Sequence, residues 1–320
     1  MRVFRRSKTT GIDPAMVHAA SRAQVTEANV QSREGTGPVL VAVNGNPNDW
    51  DALEWAAAEA SVRQCALRIV HSIRWTPTSS CFAVPCSSEW GEGIGEAGRV
   101  LDEAVRRAQI IDPNLGITTH MHQGALSSAV LTEGAQDALI VLGRGRKAKR
   151  SPSVVRSVIN KSARHVGCPV AIVTLFGEAI TRHSSGRVVV GVDRNGDPDA
   201  AFDFAFRAAQ RRGVGLTALR MRTRGTDPLN AKIDEALWRH LNAFPDIEVR
   251  QSFVRGTVGQ SLVVESAGAS LIVLGTGNRR RLRRTTSSAR TVARSGRRPV
   301  VIVGILPAKR RMTVHGDGVR

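Results

Sequence analysis

Residues 138–174 read ALIVLGRGRKAKRSPSVVRSVINKSARHVGCPVAIVT, and the order of residue types along this stretch decides the fold. Leu139 to Leu142 is a continuous apolar run, as expected of a strand buried on both faces. Gly143 and Gly145 end that run and open a basic loop. From about Ser153 a helical pattern follows, with Val155, Val158, Ile159 and Ser162 at spacings of three and four. Gly167 and Pro169 stop the helix, and Val170 to Val173 reads as a second buried strand. A strand–loop–helix–strand unit is a crossover that sets its strands parallel. Its loop runs into a helix N-terminus, where free N–H groups and a partial positive charge suit a phosphate.

The unit recurs at Ser270 to Gly304, SLIVLGTGNRRRLRRTTSSARTVARSGRRPVVIVG. Gly143 and Gly275 lie about 132 residues apart, as do Gly124 and Gly256 upstream of them. A period of that size marks a duplicated domain and not a solenoid. Five segments follow from the duplication: a basic N-terminal arm over 1–37, a first domain over 38–175, a linker over 176–185, a second domain over 186–306 and a basic tail over 307–320.

Within the first domain Pro38 to Val43 is a strand ending in Asn44-Gly45-Asn46-Pro47, and a helix follows from about Asp49 on Leu53, Ala56, Ala57 and Ala60. Leu67 to His71 reads as a strand and Ile73 to Gly95 as a long loop, followed by a helix over Glu96 to Ile111, a strand over Ile117 to Gln123 and a helix over Leu126 to Gly134. The second domain repeats the order. Arg187 to Val192 ends in Asp193, Asp197-Pro198 gives an N-cap with proline at the first helical position, and Phe202, Ala205, Phe206 and Ala209 form the matching stripe. Strands at Leu216 to Met221 and Ile247 to Arg255 alternate with helices at Leu229 to Phe244 and Val258 to Ala267. Each copy reads βαβαβαβαβ: an α/β domain with an open, parallel, five-stranded sheet and helices on both faces. Ligands of such sheets sit beyond the carboxyl ends of the strands, where Asn44, Gly143, Asp193 and Gly275 fall.

The 320 residues carry a formal charge of +19, which raises the expectation of phosphorylated ligands, nucleic acid or an acidic partner. No run approaches the ~18 apolar residues of a membrane span, and the basic N-terminus has no apolar signal core, so a cytoplasmic, membrane-free protein is expected. Cys65, Cys81, Cys86 and Cys168 make no zinc pattern; reduced thiols are the reading, with a redox pair at Cys81 and Cys86 as its rival. The eight histidines form no base–nucleophile pair and no acidic cluster suggests Mg²⁺, so no enzyme activity is expected.

The motifs VAVNGNP with ALEWAAAEA, GVDRN with AAFDFAFRAAQRRG, the two LIVLG strands, GCPVAIV and RPVVIV resemble the universal stress protein family in its tandem, actinobacterial form. The resemblance covers Pro38 to Leu175 and Gly186 to Leu306. It implies two Rossmann-like domains of the adenine nucleotide alpha hydrolase-like type. It also implies that Val170 to Val173 and Val300 to Val303 pair across an internal pseudo-twofold axis, with homodimerisation of the whole chain open. Nucleotide-binding members carry an acidic residue after the first strand and a Gly-x2-Gly-x9-Gly-Ser/Thr phosphate motif. In the first copy these positions are Asn44 and Gly143, Arg146, Arg156 and Ser157; in the second they are Asp193 and Gly275, Asn278, Thr286 and Ser287, in a loop about two residues shorter.

ATP or another adenine nucleotide is the ligand this resemblance implies. Its contacts would be Asn44, Gly45, Gly143, Gly145, Arg146, Ser157 and Val158 in the first copy. In the second they would be Asp193, Gly275, Gly277, Asn278, Ser287 and Ser288. Arginine restricts φ and adds bulk where the motif has glycine, whereas Asn278 tolerates the left-handed region, so the second copy departs less. Two functions stay open: a non-catalytic, nucleotide-sensing stress regulator, or a member binding a polyanion or acidic protein partner through RGRKAKR at 144–150 and RRRLRR at 279–284. Neither loop carries an aromatic residue to stack bases, which makes nucleic acid the weaker partner.

Overall fold

Each apolar run forms a strand and each apolar stripe a helix, and their alternation builds one sheet. The computed structural model describes residues 37–73, 87–133, 139–144, 168–174, 186–192, 196–221, 228–254, 257–276, 291–292 and 298–304. The first half contains β1 (Val39–Val43), α1 (Pro47–Arg63), β2 (Leu67–Ile73), α2 (Ser87–Ile111), β3 (Ile117–Gln123), α3 (Leu126–Glu133), β4 (Leu139–Gly143) and β5 (Val170–Val173). The second contains β6 (Val188–Val192), α4 (Pro198–Arg212), β7 (Leu216–Met221), α5 (Pro228–Ala243), β8 (Val249–Val254), α6 (Val258–Glu265), β9 (Leu271–Gly275) and β10 (Val300–Val303). The arm, the linker, the basic tail, both basic loops apart from Arg144, and the helix expected from Ser153 lie outside the described residues, as do Cys81 and Cys86.

Among the described residues the sheet has ten strands, in the order β3-β2-β1-β4-β5-β10-β9-β6-β7-β8. Every described pairing is parallel except β5 with β10, where Val300 faces Ile172, Val301 faces Ala171 and Ile302 faces Val170 in antiparallel register. The two segments that the resemblance pairs are therefore neighbours. Parallel partners alone would leave the edge groups of β5 and β10 open, and this contact closes both. In each half the strand order reverses beside the first strand, between β1 and β4 and between β6 and β9. Those reversals are the switch points of the sheet.

Along β1, Val39, Val41 and Val43 join one core while Leu40 and Ala42 join the other. That is why the run is apolar at every position. The first core is covered by α1, α2, α4 and α5 and runs through both halves, with Ala52, Leu53, Ala56 and Ala60 repeated as Ala201, Phe202, Ala205 and Ala209. The second core is covered by α3 and α6, through Leu126 and Val130 and through Val258 and Leu262.

The loop expected over Ile73 to Gly95 is corrected by the structure: Ile73 closes β2 and α2 begins at Ser87. Gly91, Gly93, Gly95 and Gly98 hide the helix in the sequence because glycine disfavours it. A Cβ built on Gly93, Gly95 or Gly98 meets nothing within 4 Å, so these glycines answer no packing demand. The helix is carried by its other side, where Ala97, Leu101, Ala104 and Ala108 are buried.

The halves also meet through α1 and α4. Glu59, 3% exposed, accepts a hydrogen bond from Arg63 Nε at 2.6 Å and is bonded by Arg212 from the other half. Burial alone would raise the Glu59 carboxyl; the Arg212 and Arg63 guanidiniums outweigh it and hold the group below its ordinary value. Arg63 and Arg212 are equivalent in the repeat, each the last residue of its helix, and each is followed by a left-handed C-cap, Gln64 at φ 53° and Gly213 at φ 62°. The repeat equivalent of Glu59 is the buried Ala208. One carboxylate thus serves two symmetry-related arginines.

Candidate functional site

The carboxyl ends of β1 and β4 lie side by side, since Ala42 of β1 is in register with Leu142 of β4. This brings Asn44, Gly45 and Gly143 together at the first switch point. The chain leaves β1 through Gly45 at φ 80°, a backbone region that favours glycine, and a Cβ there would stand 3.2 Å from Val100 Cγ2 of α2. Pro47 then opens α1, with Asn46 as its N-cap in extended conformation.

Two backbone donors of this turn are already engaged. Asp49 Oδ2 accepts from the Asn44 backbone N–H at 2.9 Å, from the Asn46 backbone N–H at 3.3 Å and from Asn46 Nδ2 at 3.3 Å. Burial pushes the Asp49 carboxyl up, against these hydrogen bonds, which pull it down. Asn44 Oδ1 accepts from Ser72 Oγ at 3.3 Å. His71 Nδ1 donates to the Val43 carbonyl at 2.9 Å, a contact that leaves Nε2 as the acceptor of the neutral ring. Burial holds the His71 imidazole below its ordinary value, opposed by that carbonyl and by Glu96 and Asp49. An internal carboxylate therefore occupies two backbone donors of the turn that leads into the helix.

In the second half Val192 of β6 faces Gly275 of β9. Gly275 is buried, and a Cβ there would stand 2.8 Å from the Ala201 Cβ. It lets α4 settle against the sheet at the strand end, a packing role that stands whether or not a ligand binds. Beyond it, the Thr276 N–H donates to the Val303 carbonyl at 2.8 Å, matching the Arg144 N–H on the Val173 carbonyl at 2.9 Å in the first half. Asp197 caps α4 by accepting from the Asp199 N–H at 3.1 Å, and Pro198 stands first in the helix. Pro198 is also the repeat equivalent of Asp49, so the carboxylate at this helix start comes from Asp197, one position earlier.

Of the expected contacts, Asn44, Gly45, Gly143 and Gly275 are placed at the carboxyl edge of the sheet. Gly145, Arg146, Ser157, Val158, Asp193, Gly277, Asn278, Ser287 and Ser288 lie outside the described residues. Sequence reasoning missed Asp49 and Ser72 as partners of the first turn. Asp49 stands three residues after Asn46, the spacing of a capping box, and that signal was available. Ser72 reaches Asn44 only through strand pairing, which nothing local announces. Among the described residues no group of three or more His, Cys, Asp or Glu side chains is placed to hold a metal, and no helix is long and apolar enough to cross a membrane.

The family model described as "Universal stress protein family" matches residues 35–174 and 185–304. The universal stress protein Rv1996 of Mycobacterium tuberculosis is 27% identical over 305 residues, covering 83% of this chain and 95% of its own. Rv2005c of the same organism is 26% identical over 263 residues, covering 75% and 87%. Among solved structures, a universal stress protein from Archaeoglobus fulgidus superposes with a TM-score of 0.63 at 17% identity, covering 84% of this chain and 96% of that one. That likeness is one of fold.

Proposed function

The chain belongs to the universal stress protein family, and from that premise we propose that it is a nucleotide-sensing regulator whose working site is the carboxyl edge of the second half. The ligand is an adenine nucleotide, ATP in the first instance, held without turnover at the switch point between β6 and β9. Asp193 directly follows β6 in sequence and supplies a carboxylate acceptor for ribose hydroxyls. Gly275, Gly277, Asn278, Ser287 and Ser288 make up the phosphate side.

One observation carries the choice of half: Asp49 already holds the Asn44 and Asn46 N–H groups of the first turn. A ligand whose ribose reached that turn would meet a carboxylate in place of two free donors. The second half has Pro198 at that position and retains the acidic residue after its first strand. The first half then serves as a structural partner, joined through β5 and β10.

The protein purified without added nucleotide, then denatured, should release adenine nucleotide identifiable by mass spectrometry at up to about one equivalent per chain. Release near two equivalents would mean that both halves bind and would refute the assignment to one. No nucleotide, with retention on a polyanion matrix instead, would favour the basic loops as the functional surface.

A further inference from the structure

The junction of α1 and α4 holds more positive charge than the described residues balance. Arg63 and Arg212 share the single carboxylate of Glu59. The Arg63 side chain is 4% exposed, yet its buried Nη2 has no hydrogen-bond acceptor among the described residues. Its guanidinium lies over the Phe204 ring at 5.1 Å, which tolerates charge but does not replace an oxygen acceptor. Arg211, next in the chain to Arg212 and half-buried, has no ion-pair partner among the described residues. Arg211 stands seven residues after Phe204 on α4 and so shares the helix face over which Arg63 lies; burial and the neighbouring Arg63 charge depress its guanidinium, with Glu59 acting the other way. Ser61 and Asp112 are bonded to each other at 2.6 Å, so that nearby carboxylate is engaged elsewhere.

We propose that Arg63, Arg211 and Arg212 form a binding site for a small tetrahedral oxyanion of the phosphate type, entered from the half-exposed Arg211 side and bridging the two halves. Guanidinium N–H groups match such oxygens in number and geometry, and a buried guanidinium N–H without an acceptor is costly enough to favour a ligand that supplies one. The site lies at the C-terminal ends of α1 and α4, away from the proposed nucleotide edge. An anion there ties the halves together where Glu59 already joins them, so its binding stabilises the whole chain.

The test is thermal unfolding of the full chain in inorganic phosphate, with chloride adjusted to constant ionic strength. The melting temperature should rise with phosphate and then follow its logarithm, by about 5 °C at a hundredfold excess over Kd. Arg211→Glu places a carboxylate at the rim in place of the ion; it should abolish the phosphate shift without lowering the melting temperature in phosphate-free buffer. Arg211→Lys should keep a reduced shift. An equal shift in the wild type and in Arg211→Glu would place the phosphate elsewhere, such as the basic loops, and overturn the proposal. So would a wild type whose melting temperature ignores phosphate at constant ionic strength.

Discussion

Glu59→Ala is expected to destabilise the chain by about 3–5 kcal/mol, because it leaves the buried Arg63 and the part-buried Arg212 guanidiniums without their shared counter-charge. The loss is large because desolvation of Arg63 and Arg212 persists after the carboxylate is gone. Glu59→Gln keeps an oxygen acceptor and should fall between the two. The pH dependence has a definite sign. Glu59 is held below the ordinary value of 4.5, so its stabilisation is fully present above that value and is lost as the pH falls through the lowered one. The gap between wild type and Glu59→Ala should therefore narrow in acid. Urea unfolding followed at pH 7 and in acid measures both effects; an Ala variant as stable as wild type at pH 7 would show that the pairing contributes nothing.

Phe206→Ala should cost a similar ~3–5 kcal/mol for a different reason. Phe206 is 0% exposed and packs against the His240 and Phe244 rings at 5.5 Å each, with Phe202 edge-on at 6.3 Å. Removing the ring takes away its transfer free energy and leaves a cavity between α4 and α5, whose helical backbones limit collapse. Hydrogen exchange separates this case from the first. Phe206→Ala should raise exchange first in β6, β7 and α5, whereas Glu59→Ala should raise it at both α1 and α4. Uniform loss of protection across both halves in Phe206→Ala would mean that the chain unfolds as one unit. A loss below 1 kcal/mol would contradict the packing argument itself.

Much of this architecture was legible in the residues. Strand runs such as LIVLG and helix stripes such as Phe202, Ala205, Phe206 and Ala209 signal themselves because each element buries its own apolar face. The N-cap at Asp197 with proline behind it is equally local, and the structure places it there. The start of α2 was not legible, because glycines on its open side outweigh, in propensity, the buried residues that hold it. The site was legible as an edge and not as a network. Asn44 and Gly143 sit at strand ends by pattern alone, but the grip of Asp49 on the turn and the reach of Ser72 to Asn44 depend on how α1 and β2 pack. The reach of Arg212 to Glu59 was not legible, since a contact between residues so far apart in the chain leaves no periodic trace.

Which half binds is tested most directly by calorimetric titration of ATP into the full chain and into Asp193→Ala. The prediction is saturable binding by the wild type at close to one site per chain, weakened by about tenfold or more in Asp193→Ala, the loss expected for a hydrogen bond to a charged group. Binding that is equally tight in Asp193→Ala, or a wild type that takes up no ATP, would contradict it.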